Sequence, residues 1–250
     1  MHRFHLPPGE CAVDAPVLAG PEAHHARHVL RLRNGDSLTL LDGAGADVLC
    51  EITDARADRL HLRVLERRFV PPLPWQVTLC QALPKGKLFE TILQKAVELG
   101  VHRIVPLVTD RTVSRPDEDS AASKTARWRQ TAIEAIKQSG SAWLPIIDPP
   151  ATPAEVLARR EPVDLALVGS LRSDARHPRD YFRAWREQHG RPPRSAAVWV
   201  GPEGDFTPAE LDSLQAAGVR PITLGRLVLR SDTAAVCCLS VLNHELSDPA

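Results

Sequence analysis

The chain has 250 residues, and its 31 basic and 31 acidic side chains give a formal net charge of zero. This balance argues against a protein that coats nucleic acid non-specifically, which would be strongly basic. No apolar run approaches the roughly 20 residues that span a bilayer, and the first residues lack the apolar core of a signal peptide, so we expect a soluble protein of the cytoplasm. The five cysteines show no zinc-type spacing, which predicts free thiols and no metal site.

The N-terminal part of the chain has the pattern of a small β-barrel. Alternating apolar residues predict strands over 37–41 and 60–65, and glycine-containing turns are expected at 34–36 and 42–45. Prolines at 71, 72 and 74 stiffen the chain after this region. They predict a domain boundary there, with one domain over 1–72 and another over 73–250.

One short helix is predicted inside the first domain, over 21–33. Pro21 suits a helix start, and His25, Val29 and Leu32 recur at helical spacing. Basic side chains cluster around this segment, and arginine can both pair with phosphates and stack on bases. They are candidates for RNA contacts, with a solvated helix face above a Val29–Leu32 core as the alternative: His24, His25, Arg27, His28, Arg31 and Arg33.

From residue 76 onward, strands alternate with helices. The predicted strands cover 75–83, 101–108, 163–168, 195–200 and 219–224, and the predicted helices cover 87–99, 124–138, a segment from 152, 207–217 and 232–246. An arginine-rich stretch around 172–194 is expected to be irregular and mobile. Strands separated by helices indicate an α/β fold with a parallel sheet covered on both faces.

The sequence GPEGDF at 201–206 follows an apolar strand and leads into TPAE, which has the form of a capping box. TPAE also occurs at 152–155, so it predicts only that a helix begins. The glycines would allow close approach of a ligand, but Glu203 and Asp205 would repel a pyrophosphate. A plain strand–helix turn is one interpretation; the other is a site for a nucleoside without phosphates or with a positive charge, such as S-adenosylmethionine (SAM).

A second loop, LGRLVLRSDTA at 224–234, joins the next strand to the last helix. Gly225 ends the strand, Leu227 and Leu229 could form a wall against a base, and Ser231, Asp232 or Thr233 could cap the helix. Arg230, which comes just before that helix, is a candidate active-site residue rather than only a solvated arginine.

These two loops resemble the motifs of the ribosomal RNA small-subunit methyltransferase E family of the SPOUT superfamily, which methylates uridine N3 in 16S rRNA. Further similarity lies in segments 85–101, 131–140 and 28–43. The resemblance implies a PUA-like N-terminal barrel, a SPOUT α/β domain with a deep C-terminal trefoil knot, a homodimer, SAM as cofactor and the small ribosomal subunit as partner. The chain departs from the common family pattern at Asp205, Asp232 and Ser141.

The resemblance also implies a set of cofactor-binding residues, contributed by three loops. They are Leu167, Val168, Gly169, Gly201, Glu203, Gly204, Leu224, Gly225, Leu227, Leu229, Arg230, Thr233 and Ala234.

Methylation of uracil N3 requires removal of the N3 proton and stabilisation of the imide charge. Glu203, Asp232 and Glu98 are the candidate proton acceptors, and Arg230 is the candidate cation. Two other classes of protein are the alternatives. A dinucleotide-dependent oxidoreductase lacks its phosphate-binding loop here, whereas a non-catalytic RNA-binding ribosome-assembly factor on the same fold stays open.

Overall fold

The computed structural model describes residues 1–56, 58–113 and 117–247. Two compact units emerge: the first contains Met1–Pro72 and Ile133–Leu144, and the second contains Leu73–Ala132 and Pro145–Ala250. The first stretch ends at one of the boundary prolines, while residues 133–144, which the sequence analysis assigned to the second domain, group with the first unit. The use of 1–72 and 73–250 as separate functional domains stays a prediction.

The first unit contains a five-stranded sheet in the order β1–β3–β4–β5–β2. Its strands are β1 (Arg3–His5), β2 (Val17–Ala19), β3 (Ser37–Leu41), β4 (Ala46–Ala55) and β5 (Arg59–Phe69). β1 pairs parallel with β3 and the other pairs are antiparallel. Buried side chains alternate along β4 at Val48, Cys50 and Ile52, as expected for strands that cover a core with one face.

The predicted helix over 21–33 is shorter than expected. After α1 (Pro8–Cys11), α2 (Gly20–His24) continues into a single π-helical turn at His25–Val29 and ends there. Ala23 and Ala26 are buried, whereas Val29 is 61% exposed, so the predicted Val29 core position is wrong. Arg31 has a left-handed φ of 58°, a conformation that cannot continue a right-handed helix.

The second unit is built on a six-stranded, all-parallel sheet in the order β11–β9–β10–β6–β7–β8. Its strands are β6 (Gln76–Ala82), β7 (Arg103–Leu107), β8 (Ile146–Ile147), β9 (Leu165–Gly169), β10 (Ser195–Val200) and β11 (Arg220–Ile222). The helices are α3 (Leu88–Glu98), α4 (Glu118–Ser139), α5 (Pro153–Ala158), α6 (Pro178–His189), α7 (Pro208–Ala216) and α8 (Ser231–Ser247). The last residues of α4, from Ile133, group with the first unit. The predicted α/β fold with a parallel sheet is confirmed.

The expectation of an irregular segment around 172–194 is wrong, because α6 occupies its centre. His177 caps the helix by accepting from the Arg179 backbone N–H at 3.2 Å, and Gly190 closes it with a left-handed φ of 65°. Phe182 is buried, Arg179 and Arg183 are exposed, and the half-buried Arg186 donates to the Glu245 carbonyl at 3.0 Å. The many arginines obscured an amphipathic helix whose apolar stripe is narrow.

The strand order brings the carboxyl ends of β11, β9, β10, β6 and β7 to one edge of the sheet. Ligands of open α/β sheets bind at such an edge. Behind the β10 loop, Phe206, Leu211 and Leu214 pack with Val168 and Trp199 in one buried cluster, so this loop is anchored at its C-terminal end. No helix within the described residues is long and apolar enough to cross a membrane.

Both TPAE segments form capping boxes, as predicted. Thr152 and Thr207 each accept a hydrogen bond from the glutamate N–H three residues later, at 3.3 Å in both cases. The carboxylates of Glu155 and Glu210 reach back to the threonine N–H groups. The duplicate segment at α5 therefore carries no functional information of its own.

We expect Thr152→Ala and Thr207→Ala each to lower the free energy of unfolding by about 1 kcal/mol, because each change removes an N-cap acceptor. The urea midpoint, followed by circular dichroism, measures the loss. Ser213→Ala on the exposed face of α7 removes only a hydroxyl bonded to the Ala209 carbonyl and is the control. If the control loses as much stability as the threonine variants, the capping explanation is wrong.

Candidate functional site

A cavity of about 310 Å³ lies at the carboxyl edge of the parallel sheet of the second unit. Three loops enclose it, and they follow β9, β10 and β11, which are neighbours in the sheet. Its lining consists of Gly169, Ser170 and Leu171 after β9; Val200, Gly201, Pro202, Glu203 and Asp205 at the end of β10; and Thr223, Leu224, Gly225, Leu227, Val228, Leu229, Arg230, Ser231 and Ala234 after β11.

Most of the predicted cofactor residues meet in this cavity. Those that line it are Gly169, Gly201, Glu203, Leu224, Gly225, Leu227, Leu229, Arg230 and Ala234. The side chains of Leu167 and Val168 are instead fully buried inside β9, Gly204 lies under the Arg111 side chain, and Thr233 is exposed on α8 outside the lining.

The second unit also contains a larger cavity, of about 730 Å³, between α5 and the sheet. None of the predicted site residues lines it. Two arginines of its lining are already held by Asp148, which lies outside the lining: the Asp148 carboxylate accepts from Arg103 at 2.8 Å and from Arg159 at 2.6 Å. The smaller cavity therefore remains the candidate site.

The 201–206 loop is tightly folded around Gly201. The Asp205 N–H donates to the Pro202 carbonyl at 2.9 Å, and the Asp205 carboxylate accepts from the Phe206 N–H at 2.7 Å. A Cβ atom at Gly201 would lie 2.8 Å from Asp205 Oδ1 and 3.1 Å from Asp205 Cα. Because the Asp205 carboxylate is held by its hydrogen bond from Phe206, a side chain at position 201 would have to displace this part of the loop.

Asp205 adopts a left-handed φ of 60°. Glycine adopts this conformation freely, and aspartate tolerates it better than most residues do. This explains how an aspartate can stand where the family pattern has a glycine. Burial raises the pKa of the Asp205 carboxyl, although the hydrogen bond from Phe206 opposes that shift.

Glu203 connects two loops of the carboxyl edge. Its Oε1 accepts from the Lys85 backbone N–H at 3.0 Å, so the loop after β6 is tied to the loop after β10. Nearby, the Arg111 guanidinium donates to the Gly204 carbonyl, which adds the loop after β7. One carboxylate oxygen of Glu203 thus has a structural role as a hydrogen-bond acceptor, and the residue still lines the cavity.

Ser231, at the start of α8, is buried and hydrogen-bonded on both sides. Its hydroxyl donates to the Gly201 carbonyl at 2.8 Å and accepts from Gln81 Nε2 at 2.9 Å. Gln81 is fully buried in β6. In the sequence analysis Ser231 is treated only as a possible helix cap, and Gln81 is not identified. The one indication in the sequence is that Gln81 is a single amide side chain within an apolar strand.

The candidate proton acceptors differ in position. Glu203 lines the cavity and Arg230 is exposed on its wall. Asp232 does not line it, but its Oδ1 is buried and has no hydrogen-bond partner within the described part of the chain. Glu98 forms an ion pair with Lys95 at 2.9 Å on α3 and lies outside the cavity lining.

The candidate RNA-binding residues of the first unit are mostly exposed, namely His25, His28, Arg31 and Arg33. Arg27 is different, because its guanidinium is half-buried and donates to the Leu32 carbonyl at 2.6 Å. It therefore stabilises the end of the π-helical turn. Ser141, the third departure from the family pattern, donates to the Trp143 carbonyl at 2.9 Å and shapes its own turn.

We expect Gly201→Ala to weaken SAM binding strongly, since its Cβ would lie 2.8 Å from Asp205 Oδ1 and displace the hydrogen-bonded loop at Asp205. Gly204→Ala is the matched control, because the Cβ would meet only the flexible Arg111 side chain, at 3.3 Å. Isothermal titration calorimetry measures both affinities, and equal affinities would contradict this assignment.

Asp205→Asn should stabilise the protein at neutral pH. Asparagine keeps the acceptor for the Phe206 N–H and removes the half-buried charge. Since the pKa of Asp205 is raised in the folded state, the wild type gains stability as pH falls through that pKa. The difference in melting temperature should therefore shrink on acidification and vanish below about pH 3.9, the ordinary value. A difference that does not change with pH would contradict the explanation.

Comparison with protein families adds independent information. Residues 71–243 match the model of the RNA methyltransferase domain, and residues 18–65 match the model of the RNA methyltransferase PUA domain.

Individual relatives cover nearly the whole chain. The ribosomal RNA small subunit methyltransferase E of Synechocystis is 32% identical over 97% of this chain and 77% of its own length. A methyltransferase of the same name from Neisseria gonorrhoeae, solved with bound SAM, has a TM-score of 0.82 and 28% identity over 98% of this chain and 97% of its own.

A third relative is a Legionella pneumophila protein described as a methyltransferase, solved in complex with the cofactor SAM. It has a TM-score of 0.86 and 30% identity, over 97% of this chain and 96% of its own. With these matches, which span both units and include the strands and loops that build the cavity, the chain belongs to the ribosomal RNA small subunit methyltransferase E family.

Proposed function

We propose that this protein transfers a methyl group from SAM to N3 of a uridine in the 16S rRNA of the small ribosomal subunit. The observation that carries the proposal is the composition of the cavity, which combines glycines, apolar side chains and two carboxylates. This lining suits a nucleoside with a cationic sulfonium and does not suit a pyrophosphate. Two relatives solved with bound SAM share the fold over 97% and 98% of this chain.

The residues present fit such a cofactor. Leu224, Leu227 and Leu229 offer apolar surface for an adenine ring, and Gly201 and Gly225 allow close approach to the backbone. Glu203 and Asp205 supply negative charge for the cationic part. When bound, SAM supplies an electrophilic methyl group, and the chain's main task is to align the target nitrogen with it in a site shielded from water.

The chain must also remove the N3 proton and stabilise the negative charge of the uracil imide. As the S–CH₃ bond breaks and the N–CH₃ bond forms, the N3 proton passes to a carboxylate, for which we propose Glu203 because it lines the cavity. Asp232, with its buried and unpartnered Oδ1, is the alternative acceptor. Arg230 on the cavity wall is the proposed cation that stabilises the imide.

We further propose that the protein works as a homodimer in the cytoplasm, where ribosomal subunits are assembled. Leu227 and Val228 line the cavity yet are 79% and 75% exposed. They support a partner surface, because apolar side chains exposed together favour contact with another protein. The exposed cluster His25, His28, Arg31 and Arg33 supports an RNA contact of the first unit. The trefoil knot stays a prediction from the family resemblance.

Nucleoside mass spectrometry of small-subunit rRNA tests the reaction, using cells with and without the gene. We expect 3-methyluridine to disappear without the gene and to return with the wild-type copy. Loss of a different methylated nucleoside would contradict the N3 target and leave the methyltransferase. An unchanged modification pattern would favour the non-catalytic assembly factor, for which the departures at Asp205 and Asp232 are the supporting observation.

Arg230→Ala should lower turnover by about a hundredfold or more, the usual effect of removing a group that stabilises charge in the transition state. The SAM dissociation constant should change much less, because the apolar walls and the backbone of the cavity remain. Steady-state transfer of tritiated methyl groups and calorimetry measure the two quantities. Unchanged turnover would remove Arg230 from the mechanism.

A further inference from the structure

A small basic depression of about 120 Å³ lies on the second unit, at the N-terminal end of α3. Its lining includes three cationic side chains, from Lys87, Lys124 and Arg127. Lys85, exposed two residues before Lys87, lies in the same loop. We name these four residues, Lys85, Lys87, Lys124 and Arg127, the basic rim.

Aromatic packing fixes the floor of the depression. Phe89 from α3 and Trp128 from α4 are 4% and 5% exposed, and their ring centroids are 4.5 Å apart. This contact holds the two helices together directly below the basic side chains. Lys124 and Arg127 are therefore carried by a packed helix, which lowers the conformational entropy lost when a ligand binds, whereas Lys85 and Lys87 lie in the loop before α3.

Among the described residues, Arg127 is the one rim side chain that forms an ion pair. Arg127 pairs with Glu90 at 2.7 Å. Asp117 is another acid close to the rim. Hydrogen bonds from Ser120 and, to a smaller extent, the charge of Lys124 lower the pKa of its carboxyl group. The other two lysines, Lys85 and Lys87, are exposed. Among the described side chains, four cations face three nearby acids, Glu90, Asp117 and Glu203, which leaves a small local excess of positive charge on a chain whose net charge is zero.

The rim is joined to the candidate active site by a direct contact. The loop that carries Lys85 and Lys87 follows β6, the neighbour of β10 in the sheet. The Lys85 N–H donates to Glu203, and Glu203 lines the cavity. The patch and the cavity therefore occupy adjacent positions on one edge of the same rigid sheet.

We infer that the basic rim binds backbone phosphates of the RNA that carries the target nucleotide. This inference rests on the proposed function, since it concerns the substrate of the same site. A polyanion attracted to the rim would pass close to the cavity, whereas the acids of the cavity would reject its phosphates and admit an uncharged base. Positive charge on a rigid surface contributes affinity without sequence preference and makes binding dependent on salt.

The test compares Lys87→Ala/Lys124→Ala with wild type in filter binding of small ribosomal subunits purified from cells that lack the gene. We expect weaker binding, and a slope of log K against log[KCl] that is smaller by about 0.7 for each phosphate contact removed from single-stranded RNA. Lys95→Ala is the matched control, because Lys95 lies on α3, which begins directly after Lys87, and pairs with Glu98. Lys87→Arg/Lys124→Arg should retain wild-type binding.

Lys87→Glu, at an exposed site, gives a second variant whose folding does not depend on the half-buried Lys124. SAM affinity should be unchanged in every variant, since the cofactor cavity is not altered. Binding and salt slopes equal to those of wild type would overturn the inference, and so would an equal loss in Lys95→Ala. Methyl transfer by the wild type is measured separately: if it is absent while the rim variants still lose binding, the proposed reaction fails and the RNA surface stands.

Discussion

The candidate site depends on one buried hydroxyl, that of Ser231. It joins the start of the last helix to the Gly201 carbonyl and to the amide of Gln81, so β6, β10 and α8 meet at a single atom. All three groups lie in or beside the protein interior, where a polar group left without a partner destabilises the fold strongly. The position of Gly201, and with it the shape of the cavity, follows from this network.

The parts of the site that could be predicted are those encoded by local sequence. The capping box at Thr207, the strand before Gly201 and the glycine requirement of the loop all depend on neighbours within a few residues. The Gln81–Ser231 contact joins residues that are 150 positions apart. No local sequence pattern encodes so distant a partner. A single glutamine in an apolar strand indicates only that a buried amide needs a hydrogen-bond partner, and not which residue provides it.

The wrong predictions have physical causes of the same kind. Composition suggested disorder around 172–194, yet a His177 cap, a buried Phe182 and a left-handed Gly190 are sufficient for a helix. In the first unit, helical spacing placed Val29 in the core, but a π-helical turn shifts the angular position of the residues that follow. Such a turn changes which residues face the core, and the spacing of apolar residues in the sequence does not reveal it.

The acids of the 201–206 loop now have two explanations that support each other. Glu203 and Asp205 each accept a hydrogen bond from a backbone N–H, of Lys85 and Phe206 respectively, so they hold the loop in shape. Their charge also makes the cavity unsuitable for phosphates, while the lysines beside it favour them. The carboxyl edge is therefore divided by charge, and a cationic cofactor and a polyanionic substrate can approach the same site from adjacent positions without competing for it.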